Sequence, residues 1–266
     1  MIIAIVVVDK SDVLLQGKPP YFAALNAETA LEHLVRTVLR GPFGVTVVAS
    51  APQFANQVKE HLSGFAVQYV ASGSGLQLLS AALKFAADYR ERWLKVMLAA
   101  KARFAGQADE EDEDVKPSPR PQRKGADRKD WATLKSSADV KVRGLARSFD
   151  RDGIIVFPAN RPAISLELQA QMVEAFGRES SDKGPNARPI AQVVHAGMRG
   201  YPVIMDLAVA KEVEALPVSA SFDDWLLQQL SRIQDVPVQD AGAVSVLQTE
   251  DDLAEISRLL KLKTQP

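Results

Sequence analysis

Residues 2–8 read Ile-Ile-Ala-Ile-Val-Val-Val, and this stretch decides the fold class of the 266-residue chain. The run is apolar throughout and mostly β-branched, which is typical of a strand in a parallel sheet that helices cover on both faces. It has no basic flank, and Asp9 and Lys10 end it after seven apolar residues. We therefore interpret it as a buried strand and not as a signal peptide.

Further strand-sized apolar runs alternate with helical patterns along the rest of the chain. The apolar runs lie at 45–49, 66–71, 154–157, 190–194 and 202–205. The spacing of Leu31, Leu34, Val35, Val38 and Leu39 predicts a helix that begins after Asn26 as N-cap and ends at Gly41-Pro42. Similar patterns predict helices at 51–62, 75–104, 165–176, 207–215, 221–232 and 249–262.

This alternation of strands and helices predicts a three-layer α/β/α sandwich with a mostly parallel sheet. Ligands of such sheets usually bind beyond the carboxyl ends of the strands. The loops after Val8, Ala71 and Phe157 are therefore the first places to expect a functional site.

The composition excludes several classes of function. Thirty-two basic and 33 acidic residues give a net charge of −1, which argues against binding to nucleic acid by bulk charge. The absence of Cys excludes disulfides, thiolate zinc sites and cysteine nucleophiles, and the three His residues are too scattered to predict a metal cluster. No run approaches the roughly 20 apolar residues of a membrane span. We expect a cytoplasmic protein that binds neither nucleic acid nor membrane.

One segment interrupts the alternating pattern. Six consecutive acids at 109–114 precede three prolines and six bases that end at Lys129. Such charge blocks cannot form a core, so they predict a flexible insertion over 106–148 within a single domain that spans 1–266. An alternative interpretation is that residues 106–130 dock a charged protein partner.

Four segments carry a resemblance to a known family. They are Ser-Gly-Ser-Gly-Leu at 72–76, Asp-Gly-Ile-Ile-Val-Phe-Pro-Ala-Asn-Arg-Pro at 152–162, Gly-Met-Arg-Gly-Tyr-Pro-Val at 197–203, and 240–253, which opens with Asp-Ala-Gly and ends Gln-Thr-Glu-Asp-Asp-Leu. In order and spacing they resemble the MobA-like nucleotidyltransferases, which include the cytidylyl- and guanylyltransferases of molybdenum-cofactor synthesis. Common phosphate loops are absent, because no Walker A pattern occurs and Leu78 replaces the third Gly of a dinucleotide fingerprint.

The resemblance implies transfer of a nucleotide from an NTP, CTP or GTP, to a cofactor or another phosphorylated acceptor, with Mg²⁺ as the cofactor of an active enzyme. It also implies a set of nucleotide-binding residues: Lys18, Ser74, Gly75, Asn160, Arg199 and Gly200. No catalytic residue and no metal ligand is assigned.

The chain departs from the family at the positions that carry the chemistry. The loop after the first strand lacks the family's Gly pair and Arg, and its Asp9 and Asp12 would repel phosphate. Asn160 stands at the metal-binding Asp of the family's D-x-P motif, and Gln248 stands at the last Asp of its closing segment, with Val246 at the Asp before it. Loss of carboxylates weakens a magnesium site steeply, so we expect a degenerate active site with reduced or lost activity.

Alternatives stay open at this point. The register of the first loop is not fixed by sequence, so carboxylates from other strand ends could complete a metal site: Asp9, Asp152, Asp206 or Asp240. The fold could instead serve as the scaffold of a non-catalytic interaction or regulatory protein, or of an unrelated small-molecule enzyme that uses Asp9 and Asp12. His195 is expected to be a structural histidine, and Tyr201 stands at a family His position.

Overall fold

The computed structural model describes residues 1–11, 13–108, 152–178 and 188–264. Nine strands are present in these ranges: β1 (Ile2–Val8), β2 (Ala24–Leu25), β3 (Glu28–Thr29), β4 (Val45–Ser50), β5 (Gln68–Ala71), β6 (Gly153–Pro158), β7 (Ile190–His195), β8 (Met198–Asp206) and β9 (Ile233–Pro237). The same ranges contain seven α-helices: α1 (Ala30–Leu39), α2 (Ala55–His61), α3 (Leu76–Ala108), α4 (Leu166–Arg178), α5 (Leu207–Glu214), α6 (Phe222–Gln228) and α7 (Glu250–Thr264). Most of the predicted insertion lies outside the described residues, and its first residues, 106–108, continue α3.

Seven strands form one sheet in the order β5-β4-β1-β6-β8-β7-β9. The strand β8 runs antiparallel to both of its neighbours, and the other six strands run in one direction. The prediction of an α/β sandwich with a mostly parallel sheet is therefore confirmed. The strands β2 and β3 form a separate two-stranded hairpin.

The side chains of β1 divide the core into two halves, because successive residues of a strand point to opposite faces. Ile2, Ala4, Val6 and Val8 pack with α1, α2 and α4. Ile3 and Ile5 pack with α3, α5 and α6 on the other face. All six side chains are buried, so the apolar run that predicts the fold is covered by helices on both sides.

The first helix begins later than predicted. Thr29 and not Asn26 is its N-cap: the Thr29 hydroxyl accepts from the Glu32 amide at 3.2 Å, and the Glu32 carboxylate accepts from the Thr29 amide at 2.6 Å. Asn26 has a φ of 61° in the turn between β2 and β3. Asn tolerates this left-handed conformation better than most residues, so its signal was that of a turn.

The predicted helix at 221–232 is too long. It ends at Gln228, a short 3-10 turn follows at Leu230–Arg232, and β9 then pairs in parallel with β7. Sequence analysis missed β9 because this strand is the last of the sheet and only Ile233 and Val236 are buried. It therefore has no continuous apolar run. No helix within the described ranges is long and apolar enough to cross a membrane.

Candidate functional site

A cleft of about 800 Å³ opens at the carboxyl ends of β1 and β6. The three loops predicted to form a site all contribute to its wall, through Asp9, Gly75 and Asn160. The wall is completed by Tyr201 of the antiparallel strand, by residues 219–223 at the start of α6, and by the segment with Val246 and Gln248.

Asp9 ties the first loop to the glycine-rich loop. One carboxylate oxygen accepts from the Gly75 amide at 2.7 Å, and the other accepts from the Lys10 amide at 2.6 Å. Gly75 has a φ of 56°, a conformation that favours glycine, and its carbonyl accepts the bond from Leu79 that starts α3. Amides at the N-terminus of a long helix suit an external anion. The carboxylate of Asp9 occupies the Gly75 amide in place of such an anion.

The positions where carboxylates were expected meet in the cleft. Asn160 follows β6, and its carbonyl accepts from the Leu247 amide at 2.8 Å, which holds Val246 and Gln248 beside it. Among the described residues of the cleft wall, Asp9 and Asp223 are the acids.

These groups do not fit a magnesium ion held on carboxylates. Both Asp9 oxygens accept backbone amides, and Asn160 and Gln248 are neutral. Within the described ranges, no group of three or more His, Cys, Asp and Glu is placed to hold a metal ion. The donor set therefore lacks the charge that Mg²⁺ needs.

Arg161, Tyr201 and Asp223 form a cluster that sequence analysis did not find. The Tyr201 hydroxyl donates to the Asp223 carboxylate at 2.5 Å, and the Arg161 guanidinium lies 5.1 Å from the centre of the Tyr201 ring. Burial, reinforced by the charge of Asp223, raises the pKa of Tyr201 above its usual range, so this hydroxyl stays protonated. Burial lowers the pKa of Arg161, and Tyr201 and Asp223 oppose that shift.

A second pocket of about 230 Å³ adjoins the cleft and shares this cluster with it. Arg199 lies in this pocket, where its guanidinium binds both oxygens of Asp235 at 3.0 and 2.9 Å. The remaining wall is formed by Gln192 and by the side chains of Leu226, Leu227 and Leu230.

Two of the six predicted nucleotide-binding residues, Gly75 and Asn160, line the cleft. Ser74 is exposed next to Gly75, and Lys18 is exposed in the Leu15–Lys18 turn. Arg199 lies in the second pocket.

Gly200 is a residue of β8 that packs against the turn at Ala241–Ala243, and it does not line the cleft. A Cβ at this position would lie 2.1 Å from the Ala243 carbonyl oxygen, so the close approach of two backbones requires glycine.

The alternative carboxylates have structural partners. Asp152 binds the amino group of Met1 and the Arg90 guanidinium, Asp206 caps α5, and Asp240 accepts from the Gly242 and Ser165 amides. None of the three is part of the cleft wall. Asp12 lies outside the described residues. His195 has a ring nitrogen 3.1 Å from the Val238 carbonyl oxygen, in agreement with a structural role.

No protein-family model matches the chain, and no curated protein matches it. Similar folds occur among solved structures.

One of them is a homologue of Rv0371c of Mycobacterium tuberculosis from Mycobacterium sp. strain JC1. It is 17% identical to this chain with a TM-score of 0.59, and the match covers 98% of each chain. A nucleotidyl transferase from Methanothermobacter (Mth528) is 16% identical with a TM-score of 0.58, over 98% of this chain and 99% of the other. A cytidylyltransferase from Leptospira borgpetersenii is 13% identical with a TM-score of 0.57, over 99% and 97%. At these identities the similarity establishes a fold shared with these proteins, two of which are a nucleotidyl transferase and a cytidylyltransferase.

Proposed function

We propose that the cleft binds a nucleoside triphosphate and that nucleotidyl transfer from it is reduced or lost in this protein. The observation that carries the proposal is the position of Asn160 and Gln248 side by side in the cleft wall. A chance motif match would not be expected to bring together the two positions that the resemblance identifies as former metal ligands. The nucleotidyltransferase fold of similar structures supports the same conclusion.

The size and charge of the cleft suit a nucleotide. Its volume of about 800 Å³ lies within the range of small-molecule sites. Lys10 and Arg161 in its wall are positioned to attract phosphate groups, whereas Asp9 opposes them. By the resemblance to MobA-like enzymes, the nucleotide is CTP or GTP, and the acceptor is the molybdenum cofactor or another phosphorylated molecule.

In an active nucleotidyltransferase, Mg²⁺ supplies positive charge that neutralises the triphosphate and the leaving pyrophosphate. The residues of this cleft do not fit that ion, so its chemistry enters no step of this proposal. What the chain's own residues provide is binding: Lys10 and Arg161 attract the phosphates, and the apolar Val156 and Leu76 contribute to the cleft wall.

Calorimetric titration with CTP, GTP and ATP, each with and without Mg²⁺, tests the proposal. We expect one of these nucleotides to bind, and we expect Lys10→Gln to weaken that binding several-fold. Lys59→Gln is the matched control, because Lys59 is exposed on α2 and does not line the cleft. Absence of binding by all three nucleotides would refute the proposal, as would equal effects of the two variants.

The domain organisation is also a proposal: a single nucleotidyltransferase-like domain over 1–266 with a charged insertion at 106–148. Removal of residues 109–148 should then leave nucleotide binding and the melting temperature nearly unchanged. A large loss of either would mean that these residues belong to the folded domain.

A second candidate function is a scaffold for protein interaction through residues 106–130. The observation in its favour is that α3 leads into this segment with several exposed apolar side chains: Trp93, Val96, Met97 and Leu98. Deletion of 106–130 should abolish capture of a protein partner at unchanged melting temperature, and retention of that partner would contradict this candidate.

A further inference from the structure

Arg161 is a largely buried cation at the boundary between the cleft and the second pocket. Its guanidinium lies over the face of the Tyr201 ring and donates a long hydrogen bond of 3.4 Å to the Ala243 carbonyl. Among the described residues it forms no salt bridge with a carboxylate. The nearby charge of Asp223 offsets part of the cost of burying this cation, and an external anionic group that bonds to the guanidinium directly would offset more of it.

The neighbouring charged residues differ from Arg161 in this respect. Arg199, in the same pocket, is neutralised by Asp235 through two hydrogen bonds. Asp223 accepts a hydrogen bond from the Tyr201 hydroxyl, and its charge acts on Arg161 without a direct salt bridge. The guanidinium of Arg161 therefore keeps donors available for a ligand, and guanidinium groups bind phosphate and carboxylate oxygens in pairs.

The opposite wall of the second pocket is apolar and partly open to solvent. Leu226 is buried, but Leu227 and Leu230 are 62% and 46% exposed. Apolar side chains in a concave wall gain free energy when a ligand covers them. The pocket thus combines an apolar surface with a cation that forms no salt bridge within the described part of the chain.

Resting on the proposed function, we propose that the second pocket binds the acceptor of the nucleotide and that this acceptor is amphiphilic. Its anionic oxygen group binds Arg161, next to the cleft, and its apolar part covers Leu227 and Leu230. The volume of about 230 Å³ suits a small head group or a short hydrocarbon segment and not a second nucleotide.

The probes for this pocket are inorganic phosphate, hexyl phosphate, hexanoate and 1-hexanol, each titrated calorimetrically into the full-length protein. Hexyl phosphate is expected to bind at least tenfold more tightly than inorganic phosphate and than 1-hexanol. Hexanoate in parallel distinguishes a phosphate from a carboxylate as the preferred anion. Equal binding of hexyl phosphate and inorganic phosphate would overturn the amphiphilic assignment.

Substitutions at two positions, Arg161 and Leu227, separate the contributions of the charged and the apolar parts of the pocket. Arg161→Gln should weaken hexyl phosphate at least tenfold, and Arg161→Lys should restore part of the affinity, which also controls for folding. Leu227→Ser should reduce hexyl phosphate binding several-fold and leave inorganic phosphate unchanged. Two matched controls lie outside the pocket. Arg232→Gln removes a cation that pairs with Glu212, and Leu262→Ser replaces an exposed leucine on α7.

Failure of this inference is distinguishable from failure of the proposed function. Hexyl phosphate binding that depends on Arg161 and Leu227, without binding of any nucleotide, would retain the amphiphile pocket and refute the nucleotide site. The opposite result would be that a nucleotide binds but that neither Arg161→Gln nor Leu227→Ser changes the binding of hexyl phosphate. This result would overturn the pocket assignment and leave the nucleotide site intact.

Discussion

Replacing Asp9 with Asn should raise the affinity of the cleft for nucleoside triphosphates. The Asp9 carboxylate lies 2.7 Å from the Gly75 amide, so a phosphate oxygen that shared this amide would lie within about 4 Å of the carboxylate. Two unit charges at that distance repel by about 1 kcal/mol in bulk water and by about 4 kcal/mol at an effective dielectric constant of 20. Because the cleft is open to solvent, we expect about 1–2 kcal/mol, which is roughly a 5- to 30-fold gain in affinity.

The assay is calorimetric titration of wild type and Asp9→Asn with CTP, GTP and ATP in the absence of Mg²⁺. The gain should shrink as ionic strength rises, because salt screens the repulsion that the substitution removes. Asp88→Asn is the matched control, since Asp88 is exposed on α3 and does not line the cleft. Unchanged or weaker binding by Asp9→Asn, with a melting temperature within a few degrees of wild type, would refute the reasoning.

Three further predictions concern stability. Gly200→Ala should lower the free energy of unfolding by about 1–3 kcal/mol, because its Cβ would lie 2.1 Å from the Ala243 carbonyl oxygen; Gly64→Ala, which meets nothing within 4 Å, should have little effect in the same urea titration. Thr29→Ala should cost about 1 kcal/mol in that assay through loss of the α1 N-cap, and no loss would contradict the capping box. Burial alone would raise the pKa of Glu32, but hydrogen bonds from Thr29 and the charge of His61 lower it. The contribution of Glu32 to the stability of the fold is therefore present above the pKa of this group in the unfolded chain, and it is lost as the pH falls through the pKa in the folded protein. Glu32→Gln should therefore destabilise the protein at neutral pH and reduce the fall of the melting temperature as the pH is lowered. An unchanged fall at acid pH would contradict a lowered pKa of Glu32.

The sequence predicted correctly those parts of the fold in which one strong pattern, such as a continuous apolar run, allows a single interpretation. The continuous apolar run at 2–8 predicts burial on both faces, and the structure places it inside the sheet, between β4 and β6. The edge strand β9 has no such signal, since Asp235 and Pro237 are exposed and its pairing with β7 is a long-range contact. Asn26 gave a misleading signal because the same side chain suits both helix caps and turns with positive φ.

The candidate site was predictable only in part, for a related reason. Colinear motifs indicated the loop with Asn160 and the segment with Gln248, and these meet in the cleft. The role proposed for Arg161 depends on the lack of a salt bridge to its guanidinium among the residues that the structure describes, and no local sequence pattern records this. Its contact with the Tyr201 ring joins the loop after β6 to the neighbouring strand β8, and it becomes visible only once the strand order is known.

The central claim is that Asn160 and Gln248 stand where carboxylates once held a metal ion. The most direct test is the double variant Asn160→Asp with Gln248→Asp, in which the Mg²⁺ dependence of CTP and GTP binding is measured by calorimetry. The control is Gln53→Asp with Asn56→Asp, which adds the same two charges at exposed positions outside the cleft. The account predicts that the cleft variant gains Mg²⁺-dependent nucleotide binding that wild type and control lack. Identical Mg²⁺ dependence in all three proteins would contradict it.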